Sequence, residues 1–249
     1  MLSLPRARVI VLLAACLALF VVLGLLVANG LTLGFDQPLI ELLRTGPLVE
    51  PLRPLEPLTE LGSTPVVTAV ALLALVVELL LRRPWLGLEA AATIGIASLV
   101  NGGVKRIVER TRPDLLLPIV VEPGYSFPSG HSALSMVAYG IVAVLFTAHT
   151  ELPRWLRAAG VIAAAAVILT VGASRVYVGA HYPSDVLGGW LLGGTIVILF
   201  VEVTRELRGE RRPARRLAQA RVSPAARSRD AEAAAADRGA PRSDPPAGE

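Results

Sequence analysis

The 249-residue chain is 53% hydrophobic and only 18% charged, with a mean hydropathy of +0.60. Soluble domains carry about a quarter charged residues, so this balance, concentrated in long apolar blocks, excludes an ordinary soluble protein and marks a membrane one. The net charge of +4 belongs to the tail: residues 205–249 hold 11 arginines against 7 acids, while the preceding 204 residues balance 13 basic with 13 acidic groups, which gives no ground for a nucleic-acid partner. The single cysteine, Cys16, excludes an internal disulfide.

A hydrocarbon core about 30 Å thick needs about 20 apolar residues in helix. Six segments supply them: Val9–Val27, Thr64–Leu81, Trp85–Val104, Ser132–Ala148, Ala158–Val176 and Val186–Val203. The expected fold class is all-α, a polytopic membrane helix bundle of six transmembrane helices. The first segment reads as a retained anchor, because its apolar run continues past Cys16 for 11 residues, whereas a signal-peptide core of roughly 7–15 residues then stops. Between the first two spans, Asp36–Gly62 carries five acids and an amphipathic stretch, expected to form short helices along the extracytoplasmic surface. Glu78 precedes Arg82 by four residues and is expected to pair with it near the membrane surface. His149, at the far end of the fourth span, has no expected chemical role. Residues 1–204 form the six-span domain; residues 205–249, rich in Arg, Ala and Pro, lack the apolar side chains to bury a core and are expected to be a disordered tail.

Arginines beside spans set orientation. Arg6, Arg8, Arg82, Arg83, Arg154, Arg157, Arg205, Arg208, Arg211 and Arg212 all fall on one side of a six-span protein. That side is expected to be cytoplasmic, together with both termini. The opposite side receives Asp36–Gly62, the segment from Lys105 to His131, and the link from Ser174 to Asp185.

Three clusters of chemistry-bearing residues lie on that opposite side. In the first, Lys105, the only lysine in the chain, and Arg112 are seven apart, expected on one stripe of the third span's helix with Pro113 stopping it. Two cations aimed alike can hold an anion, although basic residues beside a span are also ordinary interfacial anchors. The second is Phe127-Pro128-Ser129-Gly130-His131, at the start of the fourth span. A helix start leaves backbone N–H groups unpaired, and these with the helix dipole favour phosphate; the plainer reading makes Ser129 an N-cap and His131 a solvated histidine. The third runs from Ser174-Arg175 through His181 to Asp185. A carboxylate four residues from a histidine can fix its tautomer and leave Nε2 as a nucleophile, or can serve as a plain helix-cap salt bridge. Two of the chain's three histidines and its one lysine fall in these clusters.

Lys105-x6-Arg112-Pro113, Pro128-Ser129-Gly130-His131 and Ser174-Arg175-x5-His181-x3-Asp185 together resemble the three-part signature of the type 2 phosphatidic acid phosphatase superfamily, whose members also include soluble vanadium haloperoxidases. The resemblance covers roughly residues 7–204. It implies that His181 is the nucleophile and becomes phosphorylated, that Asp185 orients it, and that His131 protonates the leaving alkoxide and then activates water. It implies that Lys105, Arg112, Arg175, Ser129 and the N–H of Gly130 bind the phosphate oxygens. No cofactor and no metal ion is expected.

The expected function is a metal-independent membrane phosphatase acting through a phosphohistidine on a lipid phosphate monoester or a polyprenyl diphosphate. Its partners would be the bilayer and a lipid substrate, with no nucleic acid; residue types do not choose the lipid or set the oligomeric state. Two alternatives stand beside it: a phosphotransferase that passes the phosphoryl group to an acceptor other than water, and a non-catalytic membrane scaffold.

Overall fold

A computed structural model of the chain describes residues 6–45, 53–113, 123–148 and 151–222, and side chains within 7–43, 53–113, 123–148 and 151–207. His149 lies outside the described residues. The helices in chain order are α1 (Arg6–Ala28), α2 (Leu33–Thr45), α3 (Leu55–Leu58) running into a 3-10 turn (Thr59–Gly62), α4 (Thr64–Leu80), α5 (Pro84–Val108), α6 (Gly130–Ala148), α7 (Arg154–Tyr177) and α8 (Pro183–Val222). There is no strand among the described residues. The fold is an all-α membrane bundle, as the apolar blocks require.

Among the described residues, five helices are long and apolar enough to cross a membrane: α1, α5, α6, α7 and the Pro183–Leu207 part of α8. The second expected span differs in detail. Its helix, α4, has 17 residues and reaches spanning length together with Leu55–Gly62, from which it is bent by 55°. Ser63, in extended backbone, and Pro65 in the first turn account for the bend.

Packing follows small-residue stripes. Val67, Ala71 and Ala74 of α4 meet Leu86, Ala90, Ile94 and Ala97 of α5, and these meet Leu134, Val137, Ala138, Ile141 and Leu145 of α6. Alanine at these spacings lets helix backbones approach closely, which is how helices associate where lipid and side chain are equally apolar. The α5 stripe continues through Asn101 to Lys105 at four-residue steps and so delivers the lysine to the end of the bundle where α6 begins. Ile40 of α2 packs with Val176, Tyr182 and Val186 over the α7–α8 corner. Phe20 of α1 stacks on Phe127, ring centroids 6.0 Å apart.

Glu78, in the last turn of α4, is 1% exposed and continues that helix's inward stripe, while Arg82 is exposed and adopts left-handed backbone with φ 59. The polypeptide turns sharply at Arg82 to start α5. α8 runs past residues 204/205 to Val222 through a stretch rich in arginine, alanine, glutamate and leucine, good helix formers, that also holds Gly209 and Pro213. By its internal contacts the chain divides into Met1–Glu202 and Val203–Glu249. Residues 223–249 lie outside the described residues.

Candidate active site

The end of α5, the start of α6, the end of α7 and the start of α8 lie at one end of the bundle, because antiparallel neighbours alternate direction. His181 sits in the turn between α7 and α8, 1% exposed, with its backbone N–H donated to the Arg175 carbonyl at 3.2 Å. Asp185, fully buried in the first turn of α8, directs Oδ2 at His181 Nδ1, 3.5 Å away. The same Oδ2 accepts hydrogen bonds from Ser126 Oγ and, at 2.9 Å, from the Tyr182 N–H. On the other side of the ring, Arg112 Nη1 lies 3.2 Å from His181 Nε2. A guanidinium can only donate, so Nε2 presents its lone pair and the ring proton belongs on Nδ1, toward Asp185. This is the tautomer a nucleophilic Nε2 needs.

Burial holds the His181 imidazole below its ordinary pKa of 6.5, at about 4; Asp185 opposes that shift, and the positive charges of Lys105 and Arg112 add to it. The ring is therefore neutral across the neutral range and carries a free electron pair there.

The cations arrive by different routes. Lys105, in the last turn of α5, donates to the carbonyls of Tyr125 (2.5 Å) and Ser126 (3.3 Å). Arg112 binds the carbonyls of Gly124 (3.1 Å), Pro123 (3.3 Å) and Ala180 (2.8 Å). The expected single helical stripe for these two residues is not formed. α5 stops at Val108, and Glu109 closes it in left-handed backbone, φ 50, its N–H on the Lys105 carbonyl. Arg112 follows in non-helical chain, held away from helix by Pro113. The two cations thus flank the Pro123–Ser126 backbone from a helix end and from an extended segment. Arg175, in the last turn of α7 and 1% exposed, donates Nη1 to Thr59 Oγ1 at 2.8 Å.

Ser129 is fully buried. Its N–H goes to the Asp185 carbonyl at 2.9 Å, and its hydroxyl accepts from the Ser132 N–H (3.4 Å) and Ser132 Oγ (3.0 Å) at the start of α6. This is the N-cap arrangement, and it also ties α6 to α8. Gly130 and His131 open the helix beside it, His131 half-buried. Gly62 lies against His131: a Cβ on it would come within 3.0 Å of the His131 carbonyl oxygen and Cβ. The structure thus brings His181, Asp185 and Arg112 into direct contact, fastens Ser129 to Asp185 through the backbone, and sets Lys105, His131 and Arg175 on the helix ends around them.

Sequence reasoning missed several residues. Arg110 donates to Asp185 Oδ1 (2.6 Å), Ser184 Oγ (2.7 Å), Asp36 Oδ2 (2.7 Å) and Thr32 Oγ1 (3.1 Å). Asp36 belongs to the segment expected at the membrane surface, yet it is fully buried. Ser126 and Thr59 complete the set. One signal was available: Asp36 is the first acid in the sequence, after a long apolar run, and a carboxylate there needs a partner.

The PAP2 superfamily model matches residues 86–208. The undecaprenyl-diphosphatase of Sulfolobus acidocaldarius is 31% identical over 195 residues, covering 75% of this chain and 88% of that protein. Phosphatidylglycerophosphatase B of Bacillus subtilis is 38% identical over 112 residues, 45% of this chain and 55% of that protein. The crystal structure of a transmembrane PAP2-type phosphatidylglycerolphosphate phosphatase from Bacillus subtilis superimposes with a TM-score of 0.72 at 26% identity, covering 78% of this chain and 96% of that one. Across fold, helix order and the extent of these matches, the chain belongs to the PAP2 superfamily.

Proposed function

We propose that the protein is a membrane phosphatase that hydrolyses a lipid phosphate monoester or a polyprenyl diphosphate through a phosphohistidine at His181. The carrying observation is the environment of one ring: Nε2 faces a guanidinium at 3.2 Å while Nδ1 faces a buried carboxylate at 3.5 Å. A phosphate entering between Arg112 and His181 takes over the guanidinium and meets the lone pair.

In the first step Nε2 attacks phosphorus, the bond from phosphorus to the leaving oxygen breaks, and His131 gives that oxygen a proton. Asp185 faces the imidazolium that results. In the second step His131 takes a proton from water, the water oxygen attacks phosphorus, and the P–N bond breaks to release phosphate and restore His181. Lys105, Arg112 and Arg175, with Ser129 and the Gly130 N–H at the start of α6, hold the non-transferring oxygens. Charge accumulates on those oxygens in the transition state, so donors fixed in advance are the largest electrostatic contribution. The arginines can take two oxygens each, the lysine one. No metal ion takes part on this reading, because cations and backbone N–H groups already fill the role that paired metal ions play in other phosphatases.

The substrate class rests on location and kinship. A site at the end of a membrane bundle can take a headgroup while the tails stay in lipid, and the relatives' names point to phosphatidylglycerophosphate and undecaprenyl diphosphate. Residues 1–204 are the six-span catalytic domain, with the site on the extracytoplasmic side and both termini, including residues 205–249, in the cytoplasm.

The test is a panel of phospholipid monophosphates and polyprenyl diphosphates, assayed with wild type and His181→Ala in excess chelator. Wild type should release phosphate from at least one substrate, insensitive to chelator and inhibited by vanadate. His181→Ala should lose at least about a thousand-fold and take no label from 32P-substrate. Equal release by the mutant, or activity lost in chelator and restored by magnesium, overturns the mechanism.

A further inference from the structure

We propose that Arg110 and Asp36 are positioning residues of the catalytic centre, a buried relay from α2 that fixes the Asp185 carboxylate and divides its charge between Arg110 and His181. The inference rests on the reading of His181 as the nucleophile.

The relay is built from four short contacts. Arg110 Nη1 bonds Asp185 Oδ1 at 2.6 Å, and Nη2 bonds Asp36 Oδ2 at 2.7 Å. Asp36 in turn accepts the Ser184 N–H at 2.9 Å and the Ser184 hydroxyl at 2.6 Å. The guanidinium carbon lies 4.0 Å from the centroid of the Tyr182 ring, over its face. Both carboxylates are fully buried, and the Arg110 side chain is 8% exposed. All four Nη hydrogens of Arg110 have acceptors among Asp36, Asp185, Ser184 and Thr32. The guanidinium is therefore committed away from the phosphate position, unlike Arg112, which touches His181.

That commitment separates two effects. Asp185 shows one oxygen to Arg110 and the other to His181, so Arg110 on Oδ1, with Ser126 and the Tyr182 N–H on Oδ2, sets the plane of the carboxylate and with it the direction of the imidazole. The charge on that carboxylate is shared as well. Asp36 occupies the far side of Arg110 and draws part of its positive charge, which leaves Asp185 more negative toward the imidazole. The relay carries one net negative charge, which matches the imidazolium formed when His181 is phosphorylated.

Removing Asp36's charge and removing Arg110's charge should consequently push His181 in opposite directions. In Asp36→Asn, Arg110 acts on Asp185 alone, Asp185 supports the imidazolium less, and the acid limb of the pH–rate profile moves down. In Asp36→Asn/Arg110→Met, Asp185 keeps its whole charge for His181, and the limb moves up. Lys105 of α5, Arg112, Arg175 of α7, His131 of α6 and Asp185 of α8 also act on this region, and every one of them is retained in both variants.

The experiment uses full-length protein in detergent, with rates expressed per site that can be phosphorylated by labelled substrate. That normalisation removes any fraction that fails to fold. We expect kcat to fall roughly 10–100-fold in both variants, as misplaced catalytic groups do, with KM within about two-fold of wild type. The acid limb should move by about half a pH unit or more, in opposite directions. Arg110→Lys, which keeps the charge but loses the fork, should lower kcat without moving the limb. Wild-type kcat per site, or limbs that stay in place while only the number of active sites drops, would reduce Arg110 and Asp36 to a structural ion pair. An active His181→Ala would instead overturn the nucleophile assignment.

Discussion

In the proposed mechanism His181 attacks only while neutral, and its surroundings keep it so. Burial and the nearby Lys105 and Arg112 charges bring its pKa from 6.5 to about 4, against the pull of Asp185. Phosphoenzyme formation in single turnovers should hold from pH 6.5 down to 5 and fall as the pH approaches 4, once allowance is made for the substrate's own second phosphate ionisation near about pH 6. A limb centred at 6.5 would mean that the ring is hydrated and not enclosed as described. The same shift ties stability to acid. Between about pH 6.5 and 4 an unfolded chain takes up a proton that native His181 refuses, so the native state is progressively weakened as pH falls through that window. The residues to which this proposal assigns the chemistry stood out in the sequence because they are scarce in an apolar chain: His181 and Asp185 are four apart and do face each other, whereas the helical stripe suggested by the seven-residue spacing of Lys105 and Arg112 is not formed. Arg110 and Thr59 did not, and for Asp36 the sequence signals an acid in need of a partner but not which partner. Arg110 lies 74 positions from Asp36 and 75 from Asp185, and Arg175 lies 116 from Thr59. No local pattern records contacts of that range.

Helices position this site by how closely they approach, and glycine decides the distance at one crossing. A Cβ on Gly189 of α8 would lie 2.7 Å from the Ser129 carbonyl oxygen and 3.0 Å from the Ala133 nitrogen of α6, both backbone atoms that cannot rotate away. Gly193, four residues on, makes a similar approach, 2.8 Å from the Ala133 carbonyl oxygen. Gly189→Ala must therefore push α8 off α6 and draw Asp185 and His181 away from Ser129, Gly130 and His131. Phosphate release should drop roughly ten-fold or more, with a loss of about 1–3 kcal/mol in stability from overpacking, read as a lower Tm. Gly95→Ala on α5 is the control: no atom lies within 4 Å of its added Cβ, and alanine favours helix. Equal behaviour of the two variants would mean that the α6–α8 spacing does not control the site. Element existence was readable from apolar block length, which the bilayer dictates. Element ends were less so. α5 stops at Val108, well before Pro113, because a left-handed Glu109 turns the chain, and α4 falls short of a full span because the polypeptide bends ahead of it. Both departures serve the site: the first frees Arg110 and Arg112 to point inward, and the second carries Thr59 to Arg175 and Gly62 to His131.

For the whole molecule, the remaining question is which compartment the assembled clusters face. α5 has 25 residues, roughly 37 Å of helix at 1.5 Å per residue, enough to separate Arg83 at one end from Lys105 and its partner Tyr125 at the other. The arginines of the α4–α5 turn and of the α7 start lie at the end away from the site, and a cytoplasmic excess of such residues is the general rule for short connections. The site end is also basic, but Lys105, Arg110, Arg112 and Arg175 all bond acceptors inside the protein, which leaves Arg53 and Arg106 as its exposed arginines among the described side chains. Those four bonded cations therefore say little about which leaflet holds them, and the arginines that meet solvent and headgroups should decide. In a Cys16→Ala background, a cysteine in place of Arg83 and another in place of Tyr125 should react differently with an impermeant maleimide applied to intact cells. Labelling at 125 without permeabilisation, and at 83 only after it, is the expected result. The reverse pattern would turn the site to the cytoplasm and restrict its substrates to lipids of the inner leaflet.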